Sequence, residues 1–304
     1  MVSALVDENL VAALAPDPAR PRRAAAALAR FVLEGIHAGN LQLPSLPTAA
    51  LRCIELLRNP KCTNAGIVDV LNRDPLLASQ VIGRANAAII PGAAPVRTMD
   101  QAIARIGMRP LGTLLIEVST RRVFESRDPG IRAAFQSLWD HSVAVAQVAQ
   151  ALGKRLKADA DLCYLAGLLH DVGKPVVAAV LLEAERVAAT KQNVWHSRDT
   201  WLELVSACHR EVGFAMARAW QLPDEVLFAI ARSDRYSIDG TPSPVNLVCL
   251  ANALVKRAGV YTRAVEEAEV AQIIAEGAEL FKLSEEDFAQ LIAAARPADA
   301  EPKK

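Results

Sequence analysis

The chain has 304 residues, 52% of them hydrophobic, which is enough to build one large core or two modest ones. Lysine plus arginine equals aspartate plus glutamate at 34 each, so no net field draws the protein to nucleic acid or to an anionic membrane. Cys53, Cys62, Cys163, Cys208 and Cys249 show no C-x-x-C spacing and suit reduced, buried thiols, not a disulfide framework.

At the N-terminus Asp7 and Glu8 stand where a secretory leader needs positive charge, and no uninterrupted apolar run approaches the ~18 residues of a membrane span. The expectation is a cytoplasmic protein with no membrane association. Apolar residues recur at spacings of three and four almost throughout, and β-branched alternation is scarce, which predicts an all-α fold of about a dozen helices. The first spans 24–37, behind the loop "APDPARP". The stretch "GNLQLPSLP" breaks the chain, and Pro47 opens a helix through Leu57 that Asn59-Pro60 stops. Thr63 or Asn64 caps the next helix, and Asp74-Pro75 opens another. Helices over 98–106 and 110–125 follow, with Gly107 as the stop between them.

"SRDPG" near 128 is the best internal boundary. Beyond it the pattern predicts helices over 130–156, 159–171, 174–190, 198–219, 223–233, 244–258, 265–280 and 284–295. The chain is accordingly divided into a helical extension, 1–40; a helical lobe, 41–128; a second helical lobe, 129–296; and a polar, proline-broken, disordered tail, 297–304.

Three of the five histidines lie inside strongly apolar helices: His141 in "LWDHSVAVAQVAQ", His170 in "LAGLLHDVGK" and His209 in "LVSACHREVGFAM". Helical spacing puts His141 on a stripe with Val145 and Val148, His170 below Ala166, and His209 between Val205 and Gly213. Three inward-looking imidazoles on separate helices can converge on a metal, and Asp171 adds a carboxylate beside His170. Lys174, one turn on, offers a cation to a phosphate. The plainer alternative is that each histidine satisfies a carbonyl and that Asp171 caps the break at Gly173-Lys174-Pro175. His37 ends the first helix and His196 sits in a polar loop, and neither needs a functional role.

Other signals have simple readings. "AGIVDVLNRDPLLASQVIGRANAA" resembles a helix-turn-helix with Arg84 exposed, but neutral charge and no basic cluster argue against DNA or RNA binding. "PARPRR" reads as a solvated linker. Trp139 and Trp220 read as core anchors, and Trp195 as the flank of a loop.

In order and spacing, His141, the adjacent His170-Asp171 and the apolar helix near 250 make the second half similar to the HD superfamily of metal-dependent phosphohydrolases. "LPSLPTAALRCIELLRNP", "VLNRDPLLASQVIGRANAA", "TMDQAIARIGMRPL", "AGLLHDVGK", "HREVG" and "AWQLPDEV" narrow the resemblance to the HDOD signalling domain, over about residues 41–255. The resemblance implies a two-lobed helical fold with an HD-phosphohydrolase-like C-terminal lobe. It also implies a bacterial regulatory or output module, in a family whose members are not usually found to be catalytic. His141, His170 and Asp171 match the first metal-binding residues of that pattern, and His209 the additional histidine of two-metal relatives.

Two departures stand out. Ser233 and Asp234 occupy the place of a His-His pair, and Asn252 replaces the closing aspartate. A neutral amide balances no metal charge, so one divalent transition ion (iron, manganese, zinc or nickel), or none, is expected. The leading functional reading is a non-catalytic signalling module with a degenerate metal site. It would bind a signalling protein partner, a nucleotide or cyclic dinucleotide, or a second copy of itself as a homodimer. The alternative is a phosphohydrolase acting on nucleotides or cyclic dinucleotides, with Lys174 steadying the phosphate.

Overall fold

The computed structural model describes residues 6–294 except 7, 16–20, 39, 42, 43, 45, 58, 60, 88–93, 127, 191–196 and 262–265. The described residues form α-helices and one 3-10 turn, with no strand, as an all-α fold requires. In chain order the helices are α1 (Glu8–Leu14), α2 (Pro21–His37), α3 (Thr48–Leu57), α4 (Asn64–Asn72), α5 (Pro75–Ala87), α6 (Met99–Ile106), α7 (Met108–Thr120) and α8 (Pro129–Arg155). They continue with α9 (Ala160–Leu169), α10 (Gly173–Thr190), α11 (Arg198–Ala219), α12 (Asp224–Arg232), α13 (Pro244–Arg257), α14 (Glu267–Phe281) and α15 (Glu285–Ala294). The chain divides into two compact units, one Ser45–Arg122 and the other Met1–Pro44 together with Val123–Lys304.

The smaller unit holds α3 to α7 around Ala50, Cys53, Ile67, Leu71, Val81, Ile103, Leu111 and Leu115, all buried. Its helix starts follow the polar punctuation. Thr63 Oγ1 accepts from the Gly66 N–H at 3.4 Å, and Asp74 Oδ1 from the Leu77 N–H at 3.0 Å. Thr98 and Gln101 close a reciprocal capping box. Gly107, at φ +89°, ends α6 in a conformation that other residues resist. The helix expected over 110–125 begins earlier, at Met108, and passes after Thr120 into the 3-10 turn Arg121–Phe124. Arg84, the residue a helix-turn-helix would present to DNA, instead donates to Glu117 at 3.0 Å.

In the larger unit α8 packs on α9, α13 and α15, and α10 packs on α11. Val145, Val148, Leu152, Leu247, Leu254 and Phe288 form much of its core. The helix α1, not anticipated, is too short to show a period and is held by buried Leu10, Val11 and Leu14. The helix α2 begins at Pro21 and not at 24, because proline fits the first helical position; Arg23 therefore belongs to a helix and not to a solvated linker. The α2 helix packs on α11, and α1 on α10, so both belong with the larger unit.

The span Ala160–Thr190 is long and apolar enough by composition to cross a membrane, yet most of it is buried within the protein. Trp139 and Trp220 are buried; Trp139 meets Phe124 edge-on at 5.3 Å, and the Trp220 indole N–H donates to the Pro44 carbonyl at 3.0 Å. Trp195, His196 and the tail 297–304 lie outside the described residues. Burial pushes the Cys53, Cys163, Cys208 and Cys249 thiols up, so they stay protonated and act as small apolar side chains.

Candidate metal centre

The first element of the site is the middle of α8, where His141 sits in line with buried Val145 and Val148. The second departs from expectation: α9 ends at Leu169, so His170 and Asp171 occupy the turn between α9 and α10 and not a continuous helix over 159–171. The reason is backbone crowding. A Cβ on Gly173 would come within 2.0 Å of the His209 carbonyl oxygen and 2.7 Å of the Gly213 nitrogen, so the turn must bring bare backbone against α11. A Cβ on Gly213 would meet the Ile230 side chain at 3.0 Å and the Gly173 nitrogen at 3.3 Å. "HDVGK" and "HREVG" therefore share a physical logic, in that each glycine lets the histidine-bearing segment lie against the other.

These approaches gather four side chains around one buried carboxylate. Asp171 Oδ2 lies 3.3 Å from His170 Nε2, 3.9 Å from His141 Nε2 and 2.5 Å from Lys174 Nζ. Asp171 Oδ1 lies 3.2 Å from His209 Nε2. The ligand atoms of His141, His170 and Asp171 all fall within 4.8 Å of one another. The His141 and His170 rings meet edge to face, with centroids 5.3 Å apart.

The opposite ring nitrogens decide the tautomers. His141 Nδ1 lies 2.8 Å from the Val260 carbonyl, His170 Nδ1 2.7 Å from Gly167 and His209 Nδ1 2.7 Å from Ser206. A carbonyl only accepts, so each Nδ1 carries a hydrogen, and a ring that is neutral turns its Nε2 lone pair toward Asp171. Only a charged imidazolium could donate both ways, and burial opposes that. Burial, reinforced by neighbouring His170, pushes His141 down to about 3, and it lowers His209 in spite of the attraction of Asp171.

Burial works to raise Asp171, but the neighbouring His170 and the Lys174 ammonium, which donates to Oδ2, hold it well below the usual carboxylate range. The cluster thus gathers imidazole nitrogens around an ionised carboxylate. His170 Nε2 is buried with no hydrogen-bond partner. Histidines held at Nδ1 by backbone carbonyls, with Nε2 facing a carboxylate, form a donor set that fits one divalent transition ion.

Asn252 lies on α13, and its Oδ1 is also a buried acceptor without a partner. Asp234, after α12, is exposed, with Arg210 at 3.9 Å and Arg235 at 3.6 Å. Ser233 is buried with its hydroxyl unpartnered. One group was not anticipated: Lys256, whose ammonium is lowered by burial and by Lys174 while Asp171 acts in the opposite sense, which places it in the field of the cluster. Its position one turn after Asn252 is the sequence signal that could have found it. The three carbonyls that orient the rings carry no side-chain signature, though Gly167 and Ser206 lie three residues before the histidines they serve.

The model of the HDOD domain family matches residues 43–236, nearly two thirds of the chain. An uncharacterised Treponema pallidum protein is 27% identical over 194 residues, covering 62% of this chain and 37% of that protein, so the chain spans well under half the length of that relative. A crystal structure of a candidate metal-dependent phosphohydrolase from Shewanella amazonensis superposes with TM-score 0.65 at 20% identity, over 90% of this chain and 99% of that one. A candidate signal transduction protein from Marinobacter aquaeolei gives TM-score 0.55 at 22% identity, over 94% of this chain and 68% of that one. At these identities the two structures share the fold alone.

Proposed function

The chain belongs to the HDOD domain family, and from that premise we propose that it is a non-catalytic regulatory module of bacterial signal transduction. Its HD-type pocket holds at most one divalent transition ion and turns over no phosphate ester. The observation that carries this reading is the donor set: His141 and His170 close to a single carboxylate, Asp171, with His209 on that carboxylate's other oxygen and the neutral Asn252 where the HD pattern closes on aspartate. Two-metal hydrolysis needs two ions roughly 3.5–4 Å apart with anionic bridges between them, and one carboxylate supplies too little negative charge for that.

Iron, manganese, zinc and nickel all suit imidazole with carboxylate, and such an ion, when bound, polarises water or a phosphoryl oxygen. His141, His170 and His209 would hold it through Nε2, with their Nδ1 hydrogens on backbone carbonyls to fix each ring. Asp171 would supply the charge. Lys174, bound to the same Asp171 oxygen, draws on the electron density the ion needs, and its ammonium is committed to that carboxylate and not to an incoming phosphate. The protein would then act by binding, to a signalling protein, a nucleotide or a cyclic dinucleotide.

The test is an assay with manganese, iron or nickel against nucleotides and cyclic dinucleotides. The expected result is no turnover above background. Metal-dependent hydrolysis lost in His170→Ala would establish the phosphohydrolase reading instead.

A further inference from the structure

A groove of about 930 Å³ lies between α2, α11 and α12. Leu33 and Ile36 of α2 and Phe214 of α11 give it an apolar floor, and Phe228 of α12 stands on its edge, 47% exposed. Arg210, Arg218 and Arg232 also line it, against one acid, Glu211. The chain as a whole is electrically balanced, so this is a local excess of positive charge.

Arg218 and Arg232 have no carboxylate within ion-pair distance among the described residues, whereas Arg52, Arg73, Arg155, Arg186 and Arg257 each have at least one. The Arg232 guanidinium lies over the Phe228 ring, 5.7 Å from its centre, and braces that aromatic at the rim. Arg210, Phe214 and Arg218 follow at spacings of four along one stripe of α11, so charge and apolar surface alternate on the scale of a helical partner.

We propose that this groove docks an amphipathic helix of a partner protein, its apolar face on Phe214 and Phe228 and carboxylates on its flanks paired with Arg210, Arg218 and Arg232. The inference rests on reading the chain as a partner-binding regulatory module. Charge complementarity selects the occupant: a basic helix would bury like charges beside three guanidiniums, and an uncharged one would leave Arg218 and Arg232 unpaired. Because α2 lies before residue 43, one wall of the groove falls outside the HDOD match and belongs to this chain's own extension. The α11 helix also carries His209 and the Gly213 contact with the turn at Gly173, so a helix seated in the groove rests on the same element that completes the metal cluster.

The probe is a dye-labelled synthetic helix with leucines at i, i+3, i+4 and i+7 flanked by glutamates, followed by anisotropy with the full chain beside a copy carrying lysines for glutamates. The expected result is saturable, salt-sensitive binding of the acidic peptide only, weakened about tenfold or more in Arg218→Glu and Arg232→Glu, and largely kept in Arg218→Lys. Both arginines are exposed, so the charge reversals leave the core intact, which circular dichroism verifies.

No binding of the acidic peptide, equal binding of the lysine peptide, or indifference to the reversals would overturn the proposal. So would a concentration-dependent dimer broken by Phe228→Ser, which would make a second copy the occupant. A chain that hydrolyses phosphodiesters yet binds the peptide loses the regulatory reading and keeps the groove; one with neither activity loses the groove alone.

Discussion

Two buried polar sites in the larger unit make opposite use of the same kind of chemistry. Asn246, fully buried, has every polar atom of its side chain engaged: Oδ1 accepts from the Ser237 N–H at 2.7 Å, and Nδ2 donates to the Thr241 carbonyl at 2.7 Å and to Ser237 Oγ at 2.8 Å. The HD cluster, equally buried, leaves His170 Nε2 without a partner and sets lone pairs against a carboxylate. A satisfied network locks a loop, whereas an unsatisfied one leaves lone pairs that a cation or the O–H of a water can meet. The difference separates a polar residue engaged in the architecture from a group of residues with donor atoms left over, as the proposed metal site requires.

The largest effect that sharpens this contrast is steric. Gly173→Ala puts a methyl within 2.0 Å of the His209 carbonyl, so the turn and α11 cannot both stay in place. A loss above about 4 kcal/mol in urea unfolding, or no folded protein at all, is expected. A mild effect would mean that α11 does not rest on the turn.

Next comes pH, to which the Asn246 network is blind. His141 stays neutral in the folded protein down to about 3, while in the unfolded chain it takes a proton near 6.5. The unfolded state therefore binds more protons across that window, and stability rises with pH there, by at most about 1.4 kcal/mol per unit for each such imidazole. His209, lowered by burial, acts in the same direction, and Asp171 extends the loss below the ordinary carboxylate pKa. Urea unfolding with chelator at pH 7, 6, 5 and 4 should show a steady decline. A flat profile would mean that the rings are free to charge.

Smaller again is Asn246→Ala, which strands the Ser237 N–H and the Thr241 carbonyl and should cost about 2–3 kcal/mol. Asn252→Leu is its counterpart: Oδ1 has no partner to lose, so the change in urea stability should stay within about 1 kcal/mol in either direction. Equal costs at the two asparagines would erase the distinction between them.

Much of the fold was legible because the chain is punctuated. Thr63, Asp74-Pro75 and Gly107 mark helix ends through capping and backbone chemistry that act locally. The α1 helix was not legible, since its seven residues are fixed by packing on α2 and α10 and not by their own period. The approach of His141, His170, Asp171 and His209 could be anticipated from inward-facing positions on apolar segments. Their placement around a turn could not, because that turn exists for the sake of a backbone contact between Gly173 and a helix some forty residues away in sequence. Nor could the Val260 carbonyl behind His141 or the groove that α2 builds against α11, both of which depend on tertiary approach.

The central claim is that the donor frame is present and short of one negative ligand. Calorimetric titration of manganese into the wild-type chain and into Asn252→Asp tests it directly. The account predicts weak, single-site binding by the wild type and an affinity at least about tenfold higher in the variant. Equal affinities, or two ions bound tightly by the unaltered chain, would contradict it.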